Sequence, residues 1–236
     1  MDQLVPGPLT ATLTETLRED DRTPPAGRPW VMANMVTSVD GAYALDGRSG
    51  GLSNETDREL FHLLRNLADV VLVAAGTARA ERYRRPAAAG APRTRLAVVS
   101  ASLHIPPDQP FLEGPGPDPI VYHPPGIDTT GVPDGVVTQS VGEDPTRVDP
   151  ADVLDDLAAR GVATVLCEGG PSLLGQLVAG RLLDELFVTV SPNLVGGDRL
   201  GIVGTGGPYG TDLHLHRLLR DGDVLFATYR TAQSSR

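Results

Sequence analysis

From Trp30 onward, apolar and polar positions alternate between a strand rhythm and a helix rhythm. "WVMANMVT" predicts a strand from Trp30 to Thr37. "SNETDRELFHLLRNL" predicts a helix, with Ser53 or Asn54 as cap, acids in its first turn, and Leu60, Phe61, Leu64 and Leu67 on one face. "DVVLVAAG" has the continuous apolar character of a strand buried on both faces, and "TARAERY" starts a short helix. "RLAVVS" and "PIVYH" read as strands on either side of a segment rich in Pro, Gly and Asp. In "DPADVLDDLAARG" Asp149 caps a helix, Pro150 suits its first position and Gly161 ends it. "VATVLC" and "PSLLGQLVAG" repeat the strand-then-helix order, and "LDELFVTVSPNLVGG" and "DVLFATYR" alternate like strands with one solvated face. Strands separated by helices need crossover connections. The prediction is therefore an α/β fold: a largely parallel central sheet, helices on both faces, and an antiparallel hairpin near the C-terminus. The polar lead "REDDRTPPAGRP" reads as an unstructured approach, so residues 1–29 are expected to form an N-terminal extension to one domain spanning 30–236. There is no internal repeat.

Charge narrows the possible partners. With 30 acidic against 20 basic residues the net charge is −10, and no run of Lys and Arg forms a local exception. A nucleic-acid backbone or an anionic membrane is therefore disfavoured. The single cysteine, Cys167, lies in an apolar run and reads as a small buried hydrophobe. The start of the chain lacks a basic segment followed by an apolar one, and no apolar stretch reaches about eighteen residues, so a cytoplasmic protein is expected.

Three segments carry candidate chemistry. The first is "VLCEGGPSLLGQLV": a strand ends in Glu168, leaves through Gly169 and Gly170, and enters a helix at Pro171. Ligands of open α/β sheets bind beyond the carboxyl ends of the strands, and a first helical turn offers unpaired N–H groups to an anion. Glycines remove the side chains that would keep a phosphate away, and Ser172 adds a hydroxyl. The alternative is a tight turn with no ligand. The second segment, "DVVLVAAGTARAE", leaves its strand at Ala75 and Gly76 and enters a helix at Thr77. Two such exits can hold one dinucleotide pyrophosphate. Arg79, Ser100 and Ser102 can then meet a 2′-phosphate, which favours NADP over NAD; otherwise Arg79 is a solvated helix charge. The third, "NMVTSVDGAYALDGRSGGLSNETD", ends a strand at Ser38-Val39-Asp40-Gly41 and continues into a loop able to close over a cofactor. Asp40 alternatively holds its own turn through an Asx interaction.

Taken in order, "TSVDG", "LLRNLADVVLVAAGTARAE" and "EGGPSLLGQLVAGRLLDELFVTVSPNLVGG" resemble the RibD C-terminal domain family, the reductases of bacterial riboflavin biosynthesis, over about Trp30 to Arg230. The resemblance implies a dihydrofolate reductase-like fold, NADPH as cofactor, a homodimer, and reduction of 5-amino-6-(5-phosphoribosylamino)uracil to its ribitylamino product. It places Val36, Gly51, Leu52, Thr77, Glu81 and the run from Gly170 to Gln176, Leu173 included, on cofactor positions. Ser49, Arg65 and Glu168 fall on substrate positions, and Asp40 on the family's aspartate near the nicotinamide. Asn34 and Ser38 belong with the substrate positions. The chain departs from the bifunctional family members at three points. Asn34 stands where they have lysine, Gly51 where they have tryptophan, and "ERYRRP" where they have D-D-P, which looks more like stand-alone members. No zinc deaminase signature accompanies the reductase, and no metal is expected.

The mechanism so implied needs little acid–base machinery. The protein must set the nicotinamide against C1′ of the C=N bond in the ring-opened ribosylamine and exclude water. Glu168 and Asp40 orient the substrate and relay a proton, and Arg65, with Arg84 or Arg85, holds its phosphate. A helix C-terminus also favours an arginine at position 65 without any ligand. Two alternatives stay open: a reductase of a pterin, dihydrofolate-like or other imine substrate, and a non-catalytic NADPH-binding protein.

Overall fold

The computed structural model describes residues 2–5, 12–45, 47–197, 201–204 and 210–232. In chain order the elements are β1 (Asp2–Val5), α1 (Leu13–Glu19), β2 (Trp30–Ser38), α2 (Glu55–Leu67), β3 (Val70–Ala74), α3 (Ala75–Ala80), β4 (Arg95–Val99) and β5 (Ile120–His123). They continue with β6 (Val137–Ser140), α4 (Pro150–Ala159), β7 (Thr164–Cys167), α5 (Pro171–Ala179), β8 (Glu185–Ser191), β9 (Leu213–Asp221) and β10 (Val224–Thr231). All ten strands join one sheet in the order β1-β9-β10-β8-β2-β7-β3-β4-β5-β6. From β8 to β6 every neighbouring pair is parallel, whereas β10 runs antiparallel to β8 and forms a hairpin with β9.

Each face of the sheet builds its own core because side chains alternate along every strand. Trp30, Met32, Val71 and Val73 meet Leu17 of α1, Leu60 and Leu64 of α2, and Ala78 of α3. Val31, Ala33, Leu72, Val165 and Cys167 face the other way, onto Val153 and Leu157 of α4 and Leu174 and Leu177 of α5. The predicted architecture is observed, down to the caps. Asn54 accepts the Asp57 N–H at the start of α2, Asp149 accepts the Ala151 N–H at the start of α4, and Gly161 follows α4 with φ +79°.

The polar lead differs from expectation. It is irregular beyond Glu19, yet tied to the sheet by ion pairs: Asp20 takes two bonds from Arg217 at 2.8 and 2.9 Å, Arg22 reaches Glu185 at 2.6 Å, and Arg28 reaches Asp184 at 2.5 Å. Burial alone would raise the Asp20 pKa, but its bonds to Arg217 and His216 outweigh that and hold it well below the usual carboxylate range. Before the lead, α1 closes a capping box between Thr12 and Glu15 and sinks Leu17, 1% exposed, into the core. The strands β1, β6 and β9 also lie outside the elements read from the sequence.

Losing that cap should cost about 1 kcal/mol. Thr12→Ala is therefore expected to lower the urea midpoint of global unfolding by a corresponding amount. An unchanged midpoint would mean that α1 melts independently of the sheet.

Candidate active site

The segment after β7 is built by glycine. Gly169 sits at φ +87°, a region that side chains disfavour, and the Gly169–Gly170 peptide is cis. Gly170 is the N-cap of α5 and Pro171 its first residue. The loop is sewn to β3: the Glu168 N–H donates to the Leu72 carbonyl at 3.0 Å, and the Ala74 N–H donates to the Gly169 carbonyl at 2.8 Å. A side chain at Gly170 would bring its Cβ within 2.6 Å of the Thr77 hydroxyl oxygen of α3. The two strand-to-helix exits therefore abut. Their construction differs in one respect. Ala74 is itself the cap of α3, so β3 runs straight into that helix and Gly76 is its second residue, not a turn glycine. Beyond α5's first residue, Ser172 is exposed and Leu173 is packed in the core, while the Gly204 N–H donates to the Pro171 carbonyl at 2.8 Å.

A cavity of about 240 Å³ opens where β2, β3 and β7 end. Of the residues singled out from the sequence, Asn34, Val36, Ser49, Thr77, Glu81, Glu168, Gly170 and Pro171 line it. Ser49 is fixed from below, its N–H and hydroxyl donating to Glu81 at 2.8 and 3.1 Å. Gly51 packs against Leu45 and Leu52 is buried beneath the loop, so Gly50 rather than either of them faces the cavity. Arg79 donates to the His104 carbonyl at 3.3 Å, and Ser100 is buried at the exit of β4. Both lie outside the cavity lining.

Glu168 has a buried partner. Arg65 grips it with two bonds of 2.8 Å, and the two residues are only 6% and 7% exposed. The guanidinium also lies 4.1 Å from the centroid of Phe61 and 5.5 Å from that of Tyr83. Burial would lower the Arg65 pKa, but the Glu168 carboxylate outweighs it and the net shift is upward. Burial, reinforced by Glu168, pushes the Tyr83 hydroxyl well up, so it stays protonated.

Three of the expected residues make their contacts within the protein. Arg65 does not line the cavity, and its fork is bonded to the Glu168 carboxylate. Arg85 is also committed: it donates to the Phe111, Leu112 and Gly135 carbonyls and pairs with Asp118 at 2.9 Å. Asp40 does not line the cavity. It accepts the Ser38 hydroxyl at 2.5 Å and the N–H groups of Val195 and Gly196 at 3.2 and 2.9 Å, while the Ser38 oxygen takes the Ala42 N–H at 2.8 Å. Together Asp40 and Ser38 pin the β2 exit to the loop after β8.

Cavity residues that the sequence reading did not single out include Tyr43, Asp57, Arg58 and Tyr83. Asp57 and Phe61 are one turn apart on α2, a spacing that puts both on one helical face.

Residues 29–226 match the RibD C-terminal domain. The chain belongs to the RibD C-terminal domain family. Within the family it is 29% identical over 180 residues to the 2,5-diamino-6-ribosylamino-4(3H)-pyrimidinone 5′-phosphate reductase of Methanothermobacter thermautotrophicus, an alignment covering 72% of this chain and 81% of that one. It is 30% identical over 201 residues to the riboflavin biosynthesis protein RibD of Mycobacterium tuberculosis, covering 83% of this chain and 49% of that protein. The chain thus spans about half the length of that RibD protein. A crystal structure of a pyrimidine reductase-like protein from Corynebacterium diphtheriae shares the fold, with a TM-score of 0.69 at 24% identity over 86% of this chain and 92% of the other.

Proposed function

We propose that the protein is an NADPH-dependent reductase of a phosphorylated ribosylaminopyrimidine, converting 5-amino-6-(5-phosphoribosylamino)uracil or its 2,5-diaminopyrimidinone counterpart to the ribitylamino product. The observation that carries this reading is the Glu168 carboxylate. It is fixed by Arg65 at the wall of a cavity that begins where two strand-to-helix exits meet. The names of the relatives supply the substrate class.

The residues fit a dinucleotide. Gly170 carries no side chain where it meets Thr77, α5 opens toward the cavity through Pro171, and the Asn34 Oδ1 is buried in the lining without a partner. When bound, the cofactor supplies the hydride. The protein's own task is orientation and exclusion of water. With both oxygens held by Arg65, Glu168 acts as a fixed acceptor for substrate hydroxyls; this geometry suits positioning better than proton relay. Tyr83, protonated at neutral pH, gives the same wall a donor. Asp40 is reassigned from the reacting centre to holding the loop that frames it. A homodimer in the cytoplasm completes the proposal. Among the described residues no helix is long and apolar enough to cross a membrane.

A pterin-like imine is the second reading. It is favoured by the commitment of Arg65 and Arg85, which leaves Arg58 as the one arginine lining the cavity among the described residues. Following NADPH oxidation with each pyrimidine phosphate and with dihydrofolate separates the two readings, and turnover of dihydrofolate alone would replace the first by the second. NADPH is also expected to bind more tightly than NADH. Arg79→Ala should narrow that gap, because Arg79 is the cation proposed for the 2′-phosphate. Equal wild-type affinities in a titration would remove the NADPH assignment.

A further inference from the structure

At the end of the sheet opposite the cavity, where β2 and β8 begin, the N-terminal lead covers a layer of charged side chains. Trp30 opens β2 on the face that also carries Leu17 of α1, and Glu185 and Arg230 pair in the β8–β10 register on that same face, in line with Phe187 and Phe226. A bulge in β9 skips His216 in the pairing, so consecutive side chains, His216 and Arg217, both reach Asp20, at 3.1 and 2.8 Å. The layer is sealed. Trp30 is 4% exposed and Glu185 wholly buried. Two donors in it find no acceptor among the described residues: the Trp30 indole Nε1–H and the Arg230 Nε–H. They belong to neighbouring groups, since the Arg230 guanidinium carbon lies 5.5 Å from the centroid of the Trp30 ring. Arg230 Nη2 donates to the Asp21 carbonyl at 3.1 Å, but its Nε stands 3.7 Å from Glu185 Oε1, beyond hydrogen-bond reach.

Charge in this layer is out of balance as well. Arg22, Arg217 and Arg230 stand against Asp20 and Glu185, one positive charge in excess. Arg28 is matched by Asp184, and Asp21 is exposed with its carboxylate turned to Thr23. An indole N–H and a guanidinium N–H can only donate, and a buried donor without an acceptor is costly, more so on a charged group. A water accepting from both would have to place its own protons on carboxylates that already hold bonds from Arg22, Arg217 and His216. An anion accepts without donating and cancels the excess charge. We infer that Trp30 and Arg230 hold a small monovalent anion of the halide class, such as chloride, which fastens the N-terminal lead to the sheet. Two donors satisfy a monatomic ion and leave most oxygens of a phosphate unpaired, so phosphate is disfavoured. The chain as a whole, at −10, repels anions. The affinity is therefore local to this layer.

Trp30 is the only tryptophan in the sequence, so tryptophan emission reports on this layer alone. The full chain is titrated with sodium iodide at constant ionic strength, with gluconate making up the balance. Iodide quenches by contact, so quenching of the wild type is expected to saturate, and chloride should raise the half-quenching iodide concentration at least about tenfold by mass action. Acrylamide, a neutral quencher, should have little effect on the buried ring. Urea unfolding followed by circular dichroism should give a higher midpoint in chloride than in gluconate, because an ion held only by the folded state stabilises it. Arg230→Met keeps an apolar stem beside the ring and removes the charge; it should lose both the saturable quenching and the chloride dependence of the midpoint. Should that variant not fold, Trp30→Phe removes the indole donor alone, and the chloride dependence of its midpoint should shrink. Linear iodide quenching that chloride does not relieve, with midpoints that respond to the two salts alike in wild type and variant, would assign the donors to water and overturn the anion site. Saturable quenching that survives Arg230→Met would overturn it as well.

Discussion

Arg65→Ala is expected to destabilise the fold by about 3–5 kcal/mol, because it strands a buried carboxylate without its partner. The same change should lower kcat/KM by about a hundredfold, the scale of loss when a positioning group moves by about an ångström. NADPH affinity should stay within a fewfold of wild type, since Arg65 does not line the cavity. Arg65→Lys keeps the charge but loses the planar fork that makes both 2.8 Å bonds, so it should recover part of the stability and little of the turnover. Replacing the pair together, Arg65→Met with Glu168→Leu, removes both buried charges. Stability should return to near wild type, as it often does when a buried ion pair is exchanged for apolar residues of similar volume, while turnover stays lost. Urea unfolding and steady-state NADPH oxidation read the two effects separately. An active double variant would make the pair a packing device and nothing more.

That pair also marks how far a linear reading of the sequence reaches. Where an element is defined by its own neighbours it was legible. The caps Asn54 and Asp149, the first-position prolines and the glycine exit at 169–170 all act within four residues of the features they control. The N-terminal lead is the opposite case. Its local composition is that of a solvated linker, and its order comes from Arg22 bonding Glu185 across 163 residues of sequence. The site divides in the same way. Thr77 and Gly170 could be placed from their strand exits, but the partner of Arg65 lies 103 residues away and that of Asp57 132 residues away. Arg65 is expected on a substrate phosphate through the family resemblance, and nothing beside it in the sequence shows that Glu168 holds its fork. Asp57 was hidden differently: an acid in a first helical turn already has a sufficient reason to be there through the helix dipole. Asp40 matched the family's position, yet its carboxylate receives the N–H groups of Val195 and Gly196, 155 and 156 residues on.

Gly170→Val should raise the NADPH dissociation constant at least tenfold, about 1.4 kcal/mol, in protein that remains folded. The backbone there would accept a side chain, since Gly170 has φ −72° and ψ −169°. The obstacle is spatial, because a Cβ would lie 2.6 Å from the Thr77 hydroxyl oxygen. Affinity could therefore fall for two reasons: the new side chain wedges α3 from α5, or it occupies space that the cofactor needs. Thr77→Ala distinguishes them. It removes the oxygen in the way, and the next atom of that residue, the Cβ, is 4.0 Å off, an ordinary contact. Gly170→Ala in the Thr77→Ala background is then free of the protein clash. If it still binds NADPH several-fold more weakly than Thr77→Ala alone, the side chain intrudes on the cofactor itself. Equal binding by the two would make the missing side chain a matter of helix packing, and the pyrophosphate would have to be placed elsewhere along the sheet edge.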